Sequence, residues 1–378
     1  MMQKTGPVLL LVGGGHAHLG VLADWIKHGS PRGRTMLITP HRHTRYSGMI
    51  PGTVAGEYAI DEGTIDLAPL AKRAGAELVL DRCTAIDPSH RSIETENGSR
   101  IEFDYCSIDI GGVAQAREVL GEDPRLLDVR PIASFIPRLA SKREGAGSDP
   151  GHIAVIGGGA GGVELAFAMR RRFGNRHPRV TLIAGEAGVL DGFSRRARTL
   201  ARRALRRADI ALVEQDARLK AGRLFAGMHT LEPVDLLIAS IGGAAPVWPG
   251  RGGLAVSRGG FIAVDRHQRS VSHPHILAAG DVAMRQDSNI PRSGVHAVHS
   301  GPVLAANLRR LLDGGDGGGG ALRSYRPRPA SLYLVSTADG KAIASYGIFA
   351  AHGRWAGWLK RWIDTRWIAS FAKLDGRV

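Results

Sequence analysis

The 378-residue sequence predicts an α/β fold with two parallel-sheet units and a small α+β segment after them. Three observations carry that prediction. An aliphatic run at Val8–Val12 ends in the turn Gly13-Gly14-Gly15, and a second run at Ile153–Ile156 ends in Gly157-Gly158-Gly159. Far downstream, the apolar segment Ile276–Asp281 (ILAAGD) ends in Ala-Gly-Asp. A strand that passes through a glycine turn into a helix is how a Rossmann-like domain holds a dinucleotide. The glycines let the backbone approach the pyrophosphate, and the helix start presents free N–H groups to it. Two such turns imply two nucleotides.

The elements follow in order. Strand 8–12, helix 19–28 and strand 35–39 make the first β-α-β unit, because apolar residues switch from continuous runs to helical spacing and back. Segments 78–86 and 91–103 read as strands broken by turns at Asp87-Pro88 and Asn97-Gly98, a small β-meander. Tyr105–Gly112 (YCSIDIGG) is a strand ending in Gly111-Gly112. After a polar stretch at 141–151 the plan restarts with strand 153–156, helix 163–173 and strand 180–184, and Asp235–Gly243 closes that unit at Gly242. Strand 276–281 and helix 295–312 return the chain to the first unit. This divides the chain into a first part of the first dinucleotide domain (1–150), a second nucleotide domain (151–270), a part returning to the first (271–313) and a C-terminal segment (321–378). Asp313–Gly320 (DGGDGGGG) reads as a linker, and 331–336 and 341–349 flank the hairpin signal Asp339-Gly340.

Composition narrows the class. With 43% hydrophobic residues the chain can bury cores of ordinary domain size. The opening apolar run, Pro7–Val12, is too short for a signal-peptide core and no segment reaches a membrane span, so the expectation is a cytoplasmic protein. The net charge of +15 invites a nucleic-acid partner. Only 8 of the 50 basic residues are lysine, however, and arginine scattered through a Gly- and Ala-rich chain reads as genome composition. The densest cluster, from Arg195 and Arg196 to Arg206 and Arg207, reads as the solvated face of a helix. Two cysteines, Cys83 and Cys106, lie in separate strand-like runs without CxxC or CxxxxC spacing, so a redox-active dithiol is not expected. No metal cluster is expected either.

At the first turn Gly13 and Gly15 fit the dinucleotide roles. His18 stands where the third glycine belongs, which should loosen helix-to-strand packing or give the pyrophosphate a different neighbour. Thr39 and Pro40 occupy the place of the acid that would meet a ribose hydroxyl. Asp281, ending a buried strand after Gly280, needs donors. It reads as a cofactor ligand or as a helix N-cap.

The order of turn, turn and AGD resembles the FAD- and NAD(P)-binding flavoprotein disulfide reductase superfamily, with its three-layer ββα flavoprotein architecture. Gly13–Leu19 (GGGHAHL), His43–Gly52 (HTRYSGMIPG), Ile65–Gly75, Ser107–Gly112 and Ser293–Asn307 (SGVHAVHSGPVLAAN) resemble more narrowly the FAD-dependent oxidoreductases fused to, or encoded near, selenophosphate synthase. These are similar to type II NADH dehydrogenases and sulfide:quinone reductases. As the chain stops at Val378, no synthase domain is expected to follow. The resemblance implies that Asp281 accepts from the ribityl chain. It also implies that His16, His18, Cys83, Gly111 and Gly112 border the cofactor, and that Tyr46, Ser47, Gly48, Met49 and Pro51 lie beside the isoalloxazine ring. Gly294 and Val295 would start a helix facing the pyrimidine edge. His296 and Tyr46 are the candidate catalytic residues, His296 as a proton donor or as a packing histidine.

In the second unit Gly157, Gly159 and Gly162 complete the glycine pattern, and Glu164 follows as in the NADH dehydrogenases. The next strand ends in Ala184-Gly185 where an NAD site usually has an acid, Glu186 arriving two residues late. Arg195 and Arg196 could meet a 2′-phosphate or belong only to the basic helix.

In the tail, Trp355, Trp358 and Trp362 fall within about 60° on a helical wheel, with Leu359 and Ile363 extending the stripe. Such a helix suits an anionic membrane surface, or it covers the protein's own flavin domain or a homodimer partner. The expected function is an FAD-dependent oxidoreductase passing hydride from NAD(P)H to flavin and then to a quinone or similar small acceptor. The alternatives are an oxidoreductase of a selenium or sulfur compound, and a flavin-binding accessory or electron-transfer partner.

Overall fold

The computed structural model describes residues 6–146, 149–173, 178–231, 233–288, 290–318, 321–328 and 330–375. Two five-stranded parallel sheets organise it. The first has the order 276–278, 105–108, 8–12, 34–39, 76–80, and the second 126–128, 236–239, 152–156, 179–183, 210–213. In both, the strand that feeds the glycine turn is central. Leu9 to Leu11 and Ile153 to Val155 are fully buried, which is why these strands read as unbroken apolar runs.

The helices begin earlier than periodicity suggests, at His16 and Ala160, directly after the last glycine of each turn, Gly15 and Gly159, which caps the helix start. The segment 78–86 splits into Ala76–Leu80, which joins the first sheet, and Cys83–Asp87, which opens the antiparallel three-stranded meander with Ser92–Thr95 and Arg100–Glu102. Leu126–Asp128 falls before residue 150 yet pairs with Leu236–Ala239 of the second sheet, so the sheets change partners upstream of the polar stretch. The helix Gly294–Gly318 runs through most of the glycine-rich stretch expected to be a linker. The remainder of that stretch lies outside the described residues, as do the last three residues of the C-terminal segment.

After it come three antiparallel strands, Leu332–Ser336, Ala342–Tyr346 and Phe349–Gly353, with the chain turning at Asp339-Gly340 as its sequence requires. The C-terminal helix, Arg354–Asp375, then crosses back to the first sheet's core, where Trp367, Ile368 and Phe371 pack with the helix of the first glycine turn. Among the described residues no helix is long and apolar enough to cross a membrane.

Candidate active site

A cleft of about 1610 Å³ runs from the first glycine turn to the second unit. This exceeds the roughly 300–1,000 Å³ of an ordinary ligand pocket, so one elongated molecule and part of a second can share it. Its walls include Gly13, Gly15, His16, Thr39, Pro40, Tyr46, Ser47, Gly48, Pro51, Cys83, Gly111, Gly112, Asp281, Gly294 and Val295 from the first unit. The second contributes Ala160, Gly161, Glu164 and Gly242, and the tail Lys360, Ile363, Asp364 and Trp367.

The first turn is shaped for close backbone approach. Gly13 has a φ of +97°, and a Cβ there would strike the Asp109 carbonyl. A Cβ on Gly15 would strike the Asp109 carboxyl group, and so would one on Gly280. Asp109 thus fills the gap between the helix start and the Ala-Gly-Asp strand, accepting from the His18 amide at 2.9 Å. Burial pushes its pKa up to about 6. On the rim, Asp281 accepts from Arg130 at 2.8 Å. His16 lies close enough to feel both Asp109 and Asp281, yet burial lowers its pKa. Its Nε2 is buried without a hydrogen-bond partner among the described residues.

His18 does not meet the cleft. It is fully buried, its Nδ1 2.6 Å from the Gly13 carbonyl oxygen and its Nε2 2.8 Å from Ser107 Oγ. Burial lowers its pKa to about 4, so the ring is neutral. A carbonyl can only accept, so Nδ1 carries the proton and Nε2 accepts from the serine. The expectation of a different pyrophosphate neighbour gives way to an internal brace.

Tyr46, Trp367 and His16 form one aromatic group, with ring centroids 4.3 Å apart for Tyr46–Trp367 and 5.5 Å for His16–Trp367. The Tyr46 hydroxyl faces Asp364, and burial raises its pKa, so it stays neutral. Behind it sits a buried charge cluster. Lys360 Nζ lies 3.2 Å from Asp364, 3.6 Å from Glu164 and donates to the Gly48 carbonyl at 3.1 Å. The side chains of Lys360 and Asp364 are 12% and 4% exposed. Burial disfavours the Lys360 charge, but Glu164 and Asp364 outweigh it and hold the ammonium protonated. Burial in turn pushes both carboxyls up. One cation faces two acids, so the cluster can hold an additional proton.

Several expected residues stand elsewhere. His296 turns away from the cleft into a side cavity of about 50 Å³, its Nδ1 3.1 Å from the Tyr325 hydroxyl; His299, one helical turn on, lines the cleft instead. Gly280 lines the same side cavity, and Met49 is buried in the core. Gly157, Gly159 and Gly162 shape the second turn without lining the large cleft. A Cβ on Gly162 would collide with the Gly157 carbonyl oxygen, the close helix-to-strand approach that demands glycine. Glu186 is exposed, its amide donating to Asp216 at 3.1 Å. Arg195 and Arg196 are exposed and do not line the cleft; in the same helix Arg202 pairs with Glu214 at 2.6 Å. Leu359 and Ile363 do not extend an outer stripe, since both are half-buried and Ile363 walls the cleft. Trp355, Trp358 and Trp362 do face outward, at 54%, 67% and 46% exposure.

Sequence reasoning missed Asp109, Arg130, Lys360, Asp364 and Trp367. Asp109 interrupting the apolar strand 105–110 was a readable signal, as was Lys360 four residues before Asp364. Both cysteines are free and buried, the Cys83 thiol pushed up to about 12 by burial and Cys106 well above its ordinary value. Among the described residues no group of three or more His, Cys, Asp or Glu could hold a metal ion.

A family model described as pyridine nucleotide-disulphide oxidoreductase matches residues 8–301. Among solved structures, the sulfide:quinone oxidoreductase of Aquifex aeolicus superposes with a TM-score of 0.78 at 15% identity, covering 97% of this chain and 92% of that one. NDH2 from Plasmodium falciparum, in complex with NADH, gives 0.77 at 13% identity, covering 97% and 98%. The sulfide-quinone reductase of Aquifex aeolicus is also 23% identical over 103 residues, a match spanning 27% of this chain and 24% of that relative.

Proposed function

Because the chain belongs to the pyridine nucleotide-disulphide oxidoreductase family, we propose that it is an FAD-dependent NAD(P)H oxidoreductase whose acceptor is a quinone or a similar small molecule. The observation that carries this reading is the single cleft joining the glycine turn at Gly13–Gly15 to the Lys360–Glu164–Asp364 cluster. Glycines that admit no side chain, an orphaned His16 Nε2 and Asp281 on the rim fit a dinucleotide along the first sheet. Bound FAD supplies two-electron chemistry between a nicotinamide and an acceptor.

The chain's own residues hold and move protons. Tyr46 is kept neutral beside Asp364 rather than ionising, and the Lys360 ammonium anchors the Gly48 loop through its carbonyl. A quinone that receives a hydride needs one further proton to become the quinol, and a buried cluster of one cation and two raised carboxyls is a local store for it. With neither thiol ionised near neutral pH, the route does not run through protein cysteines. The outward tryptophans, with exposed Ile348 and Phe349 in the neighbouring hairpin, suit an interfacial helix at a membrane surface where a quinone is met.

The resemblance to oxidoreductases linked to selenophosphate synthase supports, as a second reading, an oxidoreductase acting on a selenium or sulfur compound. Anaerobic titration of the purified yellow protein with NADH and NADPH, followed by a soluble quinone or a selenium compound, tests the reading. Bleaching by a pyridine nucleotide and recovery on adding the quinone is the expected result. A flavin that neither nucleotide bleaches would overturn it.

A further inference from the structure

Asp109 sits where a carboxylate is least welcome in a dinucleotide site. Its carboxyl group fills the space between Gly15 and Gly280, so that a Cβ on either glycine would strike it. It accepts from the His18 amide at 2.9 Å, at the start of the helix whose free N–H groups would meet a pyrophosphate. The charged and titratable groups that face it are His16, on the same helix start, and Asp281, on the Ala-Gly-Asp turn. Arg130 lines the cleft here, and its guanidinium is committed to Asp281 at 2.8 Å. A dianionic pyrophosphate laid along Gly13–Gly15 would therefore meet a second, buried carboxylate that forms no ion pair with a lysine or arginine among the described residues. Like charges at such a range in a desolvated site cannot all persist; the cheapest remedy is a proton.

We propose that the flavin site takes up one proton with its cofactor, held by Asp109 in concert with His16, and that Asp109 in its acid form lines the pyrophosphate subsite as a hydrogen-bond donor. This rests on the FAD reading above and adds a cofactor-positioning residue to it. The orphaned Nε2 of His16 is the second group able to share that proton, so the two titrate as a pair. Burial already biases the carboxyl toward its acid form without ligand. The phosphates add to that bias, because negative charge beside a carboxyl raises its pKa further.

The proton links flavin affinity to pH. For one proton taken up on binding, the dissociation constant rises about tenfold per pH unit above the ligand-free pKa and flattens once pH passes the bound one. The test dialyses the purified holoprotein to equilibrium at a series of pH values from about 6 to about 8 and follows free FAD by fluorescence. Wild-type protein is expected to lose affinity at that slope, whereas Asp109→Asn, which keeps an N–H donor and one acceptor for the His18 amide, is expected to bind with no slope. An infrared band of a protonated carboxylic acid in the holoprotein, lost in Asp109→Asn, is the second readout; where that variant does not fold, a band that grows on FAD binding and persists in both Glu164→Gln and Asp364→Asn belongs to Asp109 and not to the Lys360 cluster. A pH-independent dissociation constant in wild type, or an unchanged slope in Asp109→Asn, would overturn the proposal. Protein that carries and binds no flavin at any pH overturns the reading beneath it, and this inference with it.

Discussion

Nδ1 of His18 lies 2.6 Å from the carbonyl oxygen of Gly13, the first glycine of its turn. In the second turn the corresponding carbonyl, that of Gly157, is approached so closely by Gly162 that no side chain fits. The two turns meet the same need differently: one brings a bare backbone against the carbonyl, the other satisfies it with an imidazole hydrogen bond. The brace continues to Ser107 on the adjacent strand, at 2.8 Å, so His18 ties turn, helix and sheet together.

The brace is expected to fail in acid. The folded pKa of His18, lowered by burial to about 4, lies below the ordinary histidine value of 6.5, so the unfolded chain binds more protons between them. Stability from this group is present above about pH 6.5 and lost as pH falls toward 4, by on the order of 3 kcal/mol. His18→Ala leaves the Ser107 hydroxyl buried without its partner and should cost about 2–3 kcal/mol at neutral pH. Denaturant melts of both proteins from pH 7 to pH 5 check this, the variant showing the shallower acid slope. Equal slopes would remove His18 from the account.

Asp281→Ala is expected to strip most of the flavin. On the FAD reading its carboxylate accepts from the ribityl chain, a charge-assisted contact that alanine removes and that outweighs the Arg130 guanidinium it sets free. The ratio of flavin to protein absorbance in purified samples is the measure, and full flavin content in the variant sinks the assignment of the Ala-Gly-Asp turn.

Removing Lys360 strands two acids. Lys360→Met should destabilise the fold by about 3–5 kcal/mol, because Glu164 and Asp364 stay buried without their cation. Adding Glu164→Gln to that variant should restore part of the loss, a coupling that a double-mutant cycle reads directly. Glu164→Gln alone should leave flavin reduction by NAD(P)H intact while slowing reoxidation by quinone and shifting its pH profile. Identical pH profiles would show that the cluster only holds the tail in place.

Replacing Cys83 and Cys106 together by serine should leave anaerobic flavin reduction unchanged apart from packing losses, since both thiols are held un-ionised by burial. Loss of reduction with fold and flavin retained would restore a thiol mechanism.

The outer tryptophans are testable apart from the fold. Truncation at Gly353 would remove Trp367 and Phe371 from the first sheet's core as well as the outer stripe. Changing Trp355, Trp358 and Trp362 to serine touches only the exposed side. Sedimentation with anionic liposomes should fall in that variant and weaken with salt in wild type, as charges are screened beyond about 8–10 Å. An unchanged liposome fraction, or a change only in oligomeric state, would assign this face to a protein partner.

The sequence by itself determined the two β-α-β units, the turns and the closing strands, because these features are local. A buried parallel strand must be a continuous apolar run, and a turn at positive φ must be glycine at Gly13 and Gly157. Only the tertiary structure decided which neighbours those residues meet. His18 looked like a defect in a glycine pattern and became a brace, because its ring partners lie on either side of the chain, at Gly13 and at Ser107. His296 and His299 sit three residues apart on one helix, about 300° of rotation, so packing alone determined that His299 lines the cleft and His296 meets Tyr325. Lys360 and Glu164 are separated by nearly 200 residues, and their buried pairing exists only because the last helix passes the helix of the second glycine turn on its way to the first sheet's core. Periodicity marks which residues share a face of an element; what covers that face is set by contacts distant in the chain, and there the site's charges are arranged.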